Sequence, residues 1–259
     1  MFQRKSLIDQ EWDKNQKKEQ KFFQHRGQED SFLNKMLSEK IPDKMQDALV
    51  KAFAKAFEVV FEKGTAVIEK TYKKDELQKN YEINEYAHEL RKSRKSLNAF
   101  EKKAGGAVKK NLLISSAAGI GMGVLGIGIP DIPVFTAMVL KNIYEIALNY
   151  GFEYESEKER YFILMIIEGA VCYGKETAVV NHKIDQYIYE GILPKRCTEK
   201  EQISRTVTAL SKELLYMKFL QGIPVVGAVG GFYDAVYMKR ISEYANIKYK
   251  KRFLLTKKR

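Results

Sequence analysis

The residues whose types and spacing most resemble a binding motif lie in one uncharged stretch, SSAAGIGMGVLGIGIPDIP (115–133). It contains the spacing G-x-G-x-x-G at Gly121, Gly123 and Gly126. This spacing binds a dinucleotide phosphate when a strand precedes the glycines and a helix follows them directly. Here two prolines fall where that helix should already be running, and proline interrupts a helix interior. The glycines therefore do not predict a nucleotide site, and nothing else in the chain indicates a cofactor.

Two explanations remain for this stretch and for a second uncharged run at 219–233. Between Lys110 and Asp131 lie about twenty uncharged residues, near the length of one spanning helix, whereas the second run is shorter and contains Pro224. Both runs therefore resemble re-entrant or interfacial membrane hairpins more than spanning helices. The alternative is close helix packing in water, which small residues four apart allow. The glycines expected to pack in this way are Gly119, Gly123 and Gly126 in the first run, and Gly227 and Gly231 in the second.

Three carboxylates lie within or beside apolar runs: Asp131, Glu168 and Asp234. Burying an unpaired carboxylate is costly, so each should be paired, cap a helix or face solvent. Asp131 follows a proline and suits the cap of the next helix. The functional alternative is a groove for a ligand or partner, formed by Asp131, Pro133, Glu168 and Asp234.

No catalytic residue is predicted. Neither a G-x-S-x-G nor an H-E-x-x-H motif occurs, and two cysteines with three histidines are too few and wrongly spaced for a zinc site. Glutamates at alternate positions from Glu153 to Glu159 could hold a divalent cation, but an exposed, capped helix start explains them equally well. An enzyme is the less favoured class, and no metal site is predicted.

The charge balance favours an anionic partner. The chain of 259 residues has 45 Lys and Arg against 33 Asp and Glu, a net charge of +12. We expect contact with an anionic membrane surface through Lys109 and Lys110 and, in the C-terminal tail, through Lys250, Lys251 and Arg252. Nucleic acid is a less favoured partner because no recognition motif accompanies the basic residues. The charged N-terminus has no apolar core of a signal peptide, which predicts a cytoplasmic protein.

The elements that must position these residues are helices, because strand signals are scarce and helical periodicity dominates. We predict an all-α fold: one multi-helix bundle with two apolar hairpins that contain glycine and proline. Residues 1–38 form a polar, partly flexible N-terminal segment, and residues 39–259 form the helical domain with its basic tail. Loops are expected near 75–80, 151–157 and 191–198, and one helical stretch over 81–110 has RKSRKS (91–96) at its middle.

Several helices carry specific signals. An apolar stripe after Pro42 recurs every four residues and predicts a helix face buried in the core: Met45, Leu49, Phe53, Phe57 and Phe61. Ser156 with Glu159, and Thr198 with Glu201, have the spacing of capping boxes that begin helices.

Two segments of the chain also show weak sequence similarity to each other. KNIYEIA (141–147) and KRISEYA (239–245) share four residue types in register, and each follows a Gly-Ile-Pro. Two helical hairpins related by a rough twofold repeat would explain this, and so would chance in a chain rich in Lys, Ile and Glu.

Taken together, these segments resemble the EcsC protein family. The resemblance rests on PDKMQDALVKAFAKAFEVVFEKG (42–64), on the glycine run leading to Asp-Ile-Pro (131–133), on the Tyr-Gly pair at 150–151, and on IPVVGAVGGFYDAVYMKRISEYA (223–245). The resemblance implies a bacterial protein. In some members of the family, the gene lies beside the genes for the subunits of an ABC transporter. The family has no established biochemical activity.

We therefore expect an accessory or interaction protein on the inner face of the cell membrane, with a transporter as one membrane-protein partner. The alternative is an enzyme or small-ligand binder with a pocket near Asp131, between the apolar hairpins. The oligomeric state is not predicted.

Overall fold

The computed structural model describes residues 5–24, 43–62, 66–123, 132–194, 198–220 and 230–258. Within these ranges the chain is helical and contains no strand, so the predicted all-α fold is confirmed. The helices are α1 (Leu7–Gln24), α2 (Asp43–Glu62), the single turn α3 (Ala66–Glu69), α4 (Lys74–Leu90), α5 (Arg94–Gly123), α6 (Ile132–Asn149), α7 (Glu157–Val171), α8 (Gly174–Glu190), α9 (Glu199–Leu220) and α10 (Gly230–Lys258).

The last helix lies at the centre of the bundle. α10 packs against α1, α5, α6, α7 and α8, and its largest contact is with α5. Aromatic rings fill two of these interfaces: Phe253 lies 4.6 Å from Phe100 of α5, and Tyr249 lies 5.5 Å from Phe162 of α7, between ring centroids. The C-terminal segment predicted to be a basic tail is therefore a core helix of the fold.

The apolar stripe of α2 is in the core, as predicted. Leu49, Phe53, Phe57 and Phe61 are all buried, and the Phe53 ring meets Phe135 of α6 edge to face at 6.1 Å. The side chain of Met45 lies outside the described residues. This face of α2 packs mainly on α9 and α6.

Both predicted caps begin helices, but only the second is a full capping box, because the Glu159 carboxylate bonds Arg252 and not the Ser156 amide. The Ser156 hydroxyl accepts a hydrogen bond from the Glu159 amide at 3.2 Å, at the start of α7. At the start of α9 the bonds are reciprocal: the Glu201 amide donates to the Thr198 hydroxyl at 3.2 Å, and the Thr198 amide donates to the Glu201 carboxylate at 2.8 Å. These bonds satisfy amide groups that have no partner within the helix.

The prediction for residues 75–110 is wrong in two respects. Residues 75–80 are not a loop but lie inside α4, and the stretch 81–110 is not one helix, because the chain leaves the helix at Arg91 and begins α5 at Arg94. The physical reason for the break is a local cap: the Ser96 amide donates to the Ser93 hydroxyl, and the Ser96 hydroxyl donates to the Arg91 carbonyl. The cluster RKSRKS therefore spans a helix junction and not a helix middle.

The two predicted hairpins are described only in part. Residues 124–131 and 221–229, which contain both Gly-Ile-Pro sequences, lie outside the described residues. The two segments of similar sequence lie in α6 and α10. Their isoleucines, Ile143 and Ile241, are both buried, whereas Glu145 is buried and Glu243 is exposed. The internal repeat stays a prediction.

The predicted N-terminal segment contains α1, which packs on α10. Besides its polar contacts, α1 places Phe22 on the ring of Tyr244, stacked at 5.0 Å between centroids. The boundary after residue 38 and the flexibility of the segment stay predictions.

One testable consequence concerns the turn after α6. Gly151 has φ +79°, and a Cβ atom at this position would lie 2.3 Å from Cζ of Tyr81. Gly191, which ends α8, has φ +69° with no atom within 4 Å of the corresponding Cβ. Gly191→Ala should cost about 1–2 kcal/mol of unfolding free energy, from the left-handed backbone alone. Gly151→Ala should cost about 1–3 kcal/mol more, because Tyr81 must move. Urea denaturation measures both, and equal losses would contradict the close contact.

Candidate functional site

The basic residues predicted to contact an anion at 250–252 are used inside the protein. Lys250 and Lys251 are buried, and the neighbouring Lys248 side chain has 0% of its surface exposed. Arg252 is partly buried and bonds Glu159 through one nitrogen, 2.8 Å from each carboxylate oxygen. The surface contact predicted for these three residues does not fit their positions, because other helices surround α10 and the cationic groups pair with carboxylates there.

Two of these lysines share two carboxylates. Lys248 and Lys251 each reach both Glu19 of α1 and Asp185 of α8, with Lys251 at 2.9 Å and 2.8 Å from them. Burial lowers the pKa of Lys248, and Glu19 and Asp185 oppose this shift. Four charges of alternating sign therefore stabilise one another where an isolated ammonium group would be strongly unfavourable.

The third lysine links α1 to α5. Lys250 Nζ lies 3.0 Å from Glu11 of α1 and 2.7 Å from Glu101 of α5. Between these pairs, the Asn15 side chain donates to the Ile247 carbonyl at 2.9 Å. Glu11, Asn15 and Glu19 recur every four residues, so they form one polar seam along α1. Their burial was not predicted because the first forty residues carry few apolar side chains.

The acidic ladder of residues 153–159 is divided between different partners. Lys74 lies 2.6 Å from Glu155 and 3.6 Å from Glu153, while Glu159 turns inward to Arg252 and accepts from the Tyr249 hydroxyl at 2.8 Å. Within the described ranges, no group of three His, Cys, Asp or Glu side chains is arranged to hold a metal ion.

The residues of the predicted groove are not assembled in the described part of the chain. Pro133 is exposed in the first turn of α6, and Glu168 lies in a groove of about 460 Å³ between α7, α8 and α9, which Pro133 does not line. Asp131 lies outside the described residues, as do Gly126 and Gly227. Asp234 lies in α10, but its side chain lies outside the described residues. The surroundings of Gly119 and Gly123 in α5, and of Gly231 in α10, also lie outside the described residues.

Glu168 is held by hydrogen bonding. Gln202 of α9 donates to it at 2.6 Å, and burial raises the pKa of the carboxyl although Gln202, Lys183 and Arg205 oppose the shift. Cys172 lines the same groove and is buried. Glu168 therefore joins α7 to α9 whether or not a ligand enters.

Of the predicted membrane-contact lysines, Lys109 is exposed on α5, and the side chain of Lys110 lies outside the described residues. A stronger surface feature, which sequence reasoning missed, is the α4 ridge: Ile83, Tyr86 and Leu90, exposed by 65%, 64% and 67%. Their spacing of three and four residues places them on one face of the helix. This spacing is the signal that could have found them.

The opposite face of α4 is already packed. The Tyr81 ring lies 5.7 Å from that of Phe100, and His88 is buried with Nδ1 3.0 Å from the Ser96 hydroxyl. Burial lowers the pKa of His88, and Lys257 and Lys92 lower it further. Because α4 is anchored through this face, the ridge is held on the outside of the bundle.

Exposed cations follow the ridge directly. The basic link consists of Arg91, Lys92, Arg94 and Lys95, which are exposed and have no carboxylate within ion-pair distance among the residues described. Arg94 donates to the Gln10 side chain at 2.5 Å, which fixes the start of α5 beside α1. An apolar ridge thus ends in a cluster of four positive charges.

No helix of the described residues is long and apolar enough to cross a membrane.

The architecture defines the class: an all-α protein whose long helices surround the C-terminal helix. The sequence model of the EcsC protein family matches residues 7–254, and the chain belongs to this family. The match begins at the first residue of α1. Neither the curated proteins nor the solved structures contain a match to the chain.

The shared charge cluster predicts an unequal response of two carboxylates on α1. Glu19→Gln leaves Lys248 and Lys251 with Asp185 alone, so the free energy of unfolding should fall by about 3–5 kcal/mol. Asp13→Asn is the matched control, since Asp13 pairs with the exposed Lys5, and it should cost about 0–1 kcal/mol. Urea denaturation compares them. Losses of similar size would show that the buried cluster does not hold α1.

The link through Lys250 predicts acid sensitivity. Burial opposes ionisation of Glu101, but Lys18 and Lys250 outweigh it and hold its pKa below the ordinary value; Lys14 and Lys250 do the same for Glu11. A carboxyl with a lowered folded pKa stabilises fully above its unfolded pKa of about 4.3, and loses this contribution as the pH falls through the folded value. Stability should therefore decline below about pH 5. The decline should be shallower in Glu101→Gln, and unfolding curves with identical pH dependence would contradict it.

Proposed function

We propose that the protein associates peripherally with the anionic, cytoplasmic face of the cell membrane and acts there as an accessory or interaction module. The single observation that carries this proposal is the α4 ridge followed by the basic link. The ridge enters the apolar boundary of the lipid, and the basic link binds the anionic headgroups.

The apolar part of the contact has a definite magnitude. Fully burying one large apolar side chain contributes about 1.5–3 kcal/mol. The three ridge residues are exposed by about two thirds, so most of this contribution is still to be gained when they leave water. Tyr86 adds a hydroxyl group, which suits the boundary between apolar chains and water.

The charged part decides the orientation. Each Lys or Arg near an anionic lipid surface contributes about 1 kcal/mol, and this attraction declines within a Debye length. Glu82 and Glu89 are exposed on α4 and oppose the contact. Because the basic link adjoins Leu90, the C-terminal end of α4 approaches the lipid most closely.

A protein docked in this way lies beside membrane-embedded proteins. The sequence resemblance implies ABC transporters as genomic neighbours of some family members. A transporter is accordingly the class of partner that we propose for the accessory role.

Sedimentation with vesicles tests the lipid contact. The protein is mixed with vesicles of phosphatidylcholine and phosphatidylglycerol, and the partition coefficient is measured for the wild type and for Tyr86→Ser/Leu90→Ser. We expect the variant to bind at least about tenfold more weakly, because two apolar side chains are lost. Val179→Ser/Ile192→Ser is the matched control, since these residues are exposed on and just after α8. It should bind like the wild type.

A second arm tests the charges. Arg91→Ser/Lys92→Ser/Lys95→Ser should lose binding to vesicles that contain phosphatidylglycerol, and high salt should weaken the wild type. Lys17→Ser/Lys158→Ser/Lys200→Ser removes three exposed lysines elsewhere and should have little effect. Failure of the wild type to bind vesicles that contain phosphatidylglycerol would contradict the proposal, as would equal loss in both triple variants.

A further inference from the structure

A groove of about 900 Å³ lies between α4, α5 and α6. Its rim carries four lysines from three different segments: Lys73, Lys102, Lys103 and Lys141. Its lining also includes three buried polar side chains, Asn111, Glu145 and Asn149. Lysines outnumber carboxylates among the exposed lining residues, where Glu76 is also present, and the inner lining combines these polar groups with apolar side chains.

The buried polar groups belong to one network. The Asn111 side chain donates to Asn142 at 2.8 Å and to the Glu145 carboxylate at 2.5 Å, and the Asn149 side chain donates to the Glu145 carbonyl at 2.7 Å. The Nδ2 atom of Asn142 is buried and has no acceptor in the described parts of the chain. These bonds fix the Asn111 amide and the Glu145 carboxylate where they line the groove, whereas Asn142 itself does not line it.

The rim cations are weakly used by the protein. Lys102 has no carboxylate within ion-pair distance among the described residues, Lys73 is 3.5 Å from the exposed Glu76, and Lys103 is 3.5 Å from the Asn80 amide oxygen. Lys141 donates to the Thr71 carbonyl at 3.1 Å, which fixes its ammonium group at the mouth. Three exposed lysines and one fixed lysine can therefore bind a phosphate group.

The two parts of the groove select different atoms of a ligand. Ammonium groups form charge-assisted hydrogen bonds with phosphate oxygens. A buried carboxylate accepts hydrogen bonds, and an amide both donates and accepts, so Glu145 and Asn111 suit a group with hydroxyls. A phosphate monoester without hydroxyls would leave the inner part unmatched. The volume lies in the range of small-molecule pockets.

We propose that this groove is a binding site for a phosphorylated polyol, with the phosphate on the rim lysines and the hydroxyls towards Glu145 and Asn111. Glycerol phosphate is the smallest group with this chemistry. It occurs both as a free ester and as part of the phosphatidylglycerol headgroup. The site does not depend on the α4 ridge, and its existence is separate from the proposed membrane contact.

Calorimetry with the full-length protein tests the site, with glycerol 1-phosphate, inorganic phosphate and glycerol as probes. We expect saturable binding of glycerol 1-phosphate, weaker binding of phosphate and none of glycerol. Lys102→Ala/Lys103→Ala should weaken glycerol 1-phosphate at least about tenfold, because charge-assisted bonds are lost. Lys158→Ala/Lys200→Ala removes two exposed lysines outside the groove and should leave binding unchanged.

Three results would overturn the proposal: no saturable binding of glycerol 1-phosphate, equal loss in both double variants, or phosphate binding as tightly as glycerol 1-phosphate. Glu145→Gln adds a test of the inner part and should reduce the preference for the ester over phosphate. Its thermal unfolding is recorded, and Lys102→Ala/Lys103→Ala remains decisive if it unfolds.

A competition experiment distinguishes the two sources of the ligand, the free ester and the lipid headgroup. If glycerol 1-phosphate displaces the Tyr86→Ser/Leu90→Ser variant from phosphatidylglycerol vesicles, the groove binds the lipid headgroup. If the ester binds in calorimetry without affecting vesicle binding of any variant, the groove takes the free ester. Both results support the site, and failure of vesicle binding by the wild type bears only on the membrane proposal.

Discussion

The packing of the bundle depends on pairing the buried ammonium groups of α10 with carboxylates from other helices. Lys248, Lys250 and Lys251 lie within four residues of one another in the central helix, and each reaches two carboxylates. An uncompensated buried charge costs several kcal/mol, so the helices that supply the carboxylates have little freedom of position. α1, α5 and α8 are thereby fixed around α10, and the first and last helices of the chain become one unit.

This constraint changes what the positive charge means for function. Cations at 248–252 are neutralised inside the protein, so the excess charge available to a partner lies on other surfaces. Two of those surfaces adjoin α4: the basic link follows its C-terminal end, and the lysine-rimmed groove lies along Leu77 and Asn80. α4 is held by Tyr81 and His88 on its inner face, which leaves both surfaces accessible on a rigid support.

Much of the fold could be predicted from local signals, whereas the pairing of the buried lysines could not. The phenylalanine stripe of α2 and the caps at Ser156 and Thr198 depend on residues close in sequence, so their patterns were sufficient. The roles of Lys250 and Glu11 depend on residues more than two hundred positions apart, and no local pattern reports that pairing. The end of α4 was missed because two polar serines, Ser93 and Ser96, cap the next helix inside a run that is otherwise helical in composition.

Hydrogen–deuterium exchange on phosphatidylglycerol vesicles tests the central claim most directly: α10 is an internal scaffold, and the membrane is contacted by the end of α4. The predicted result is slower exchange at residues 83–96 when vesicles are added, with exchange at 247–254 unchanged because the lysines there stay paired. The claim would be contradicted if residues 83–96 were not protected and exchange either slowed at 247–254 or became faster at 7–24 through release of α1.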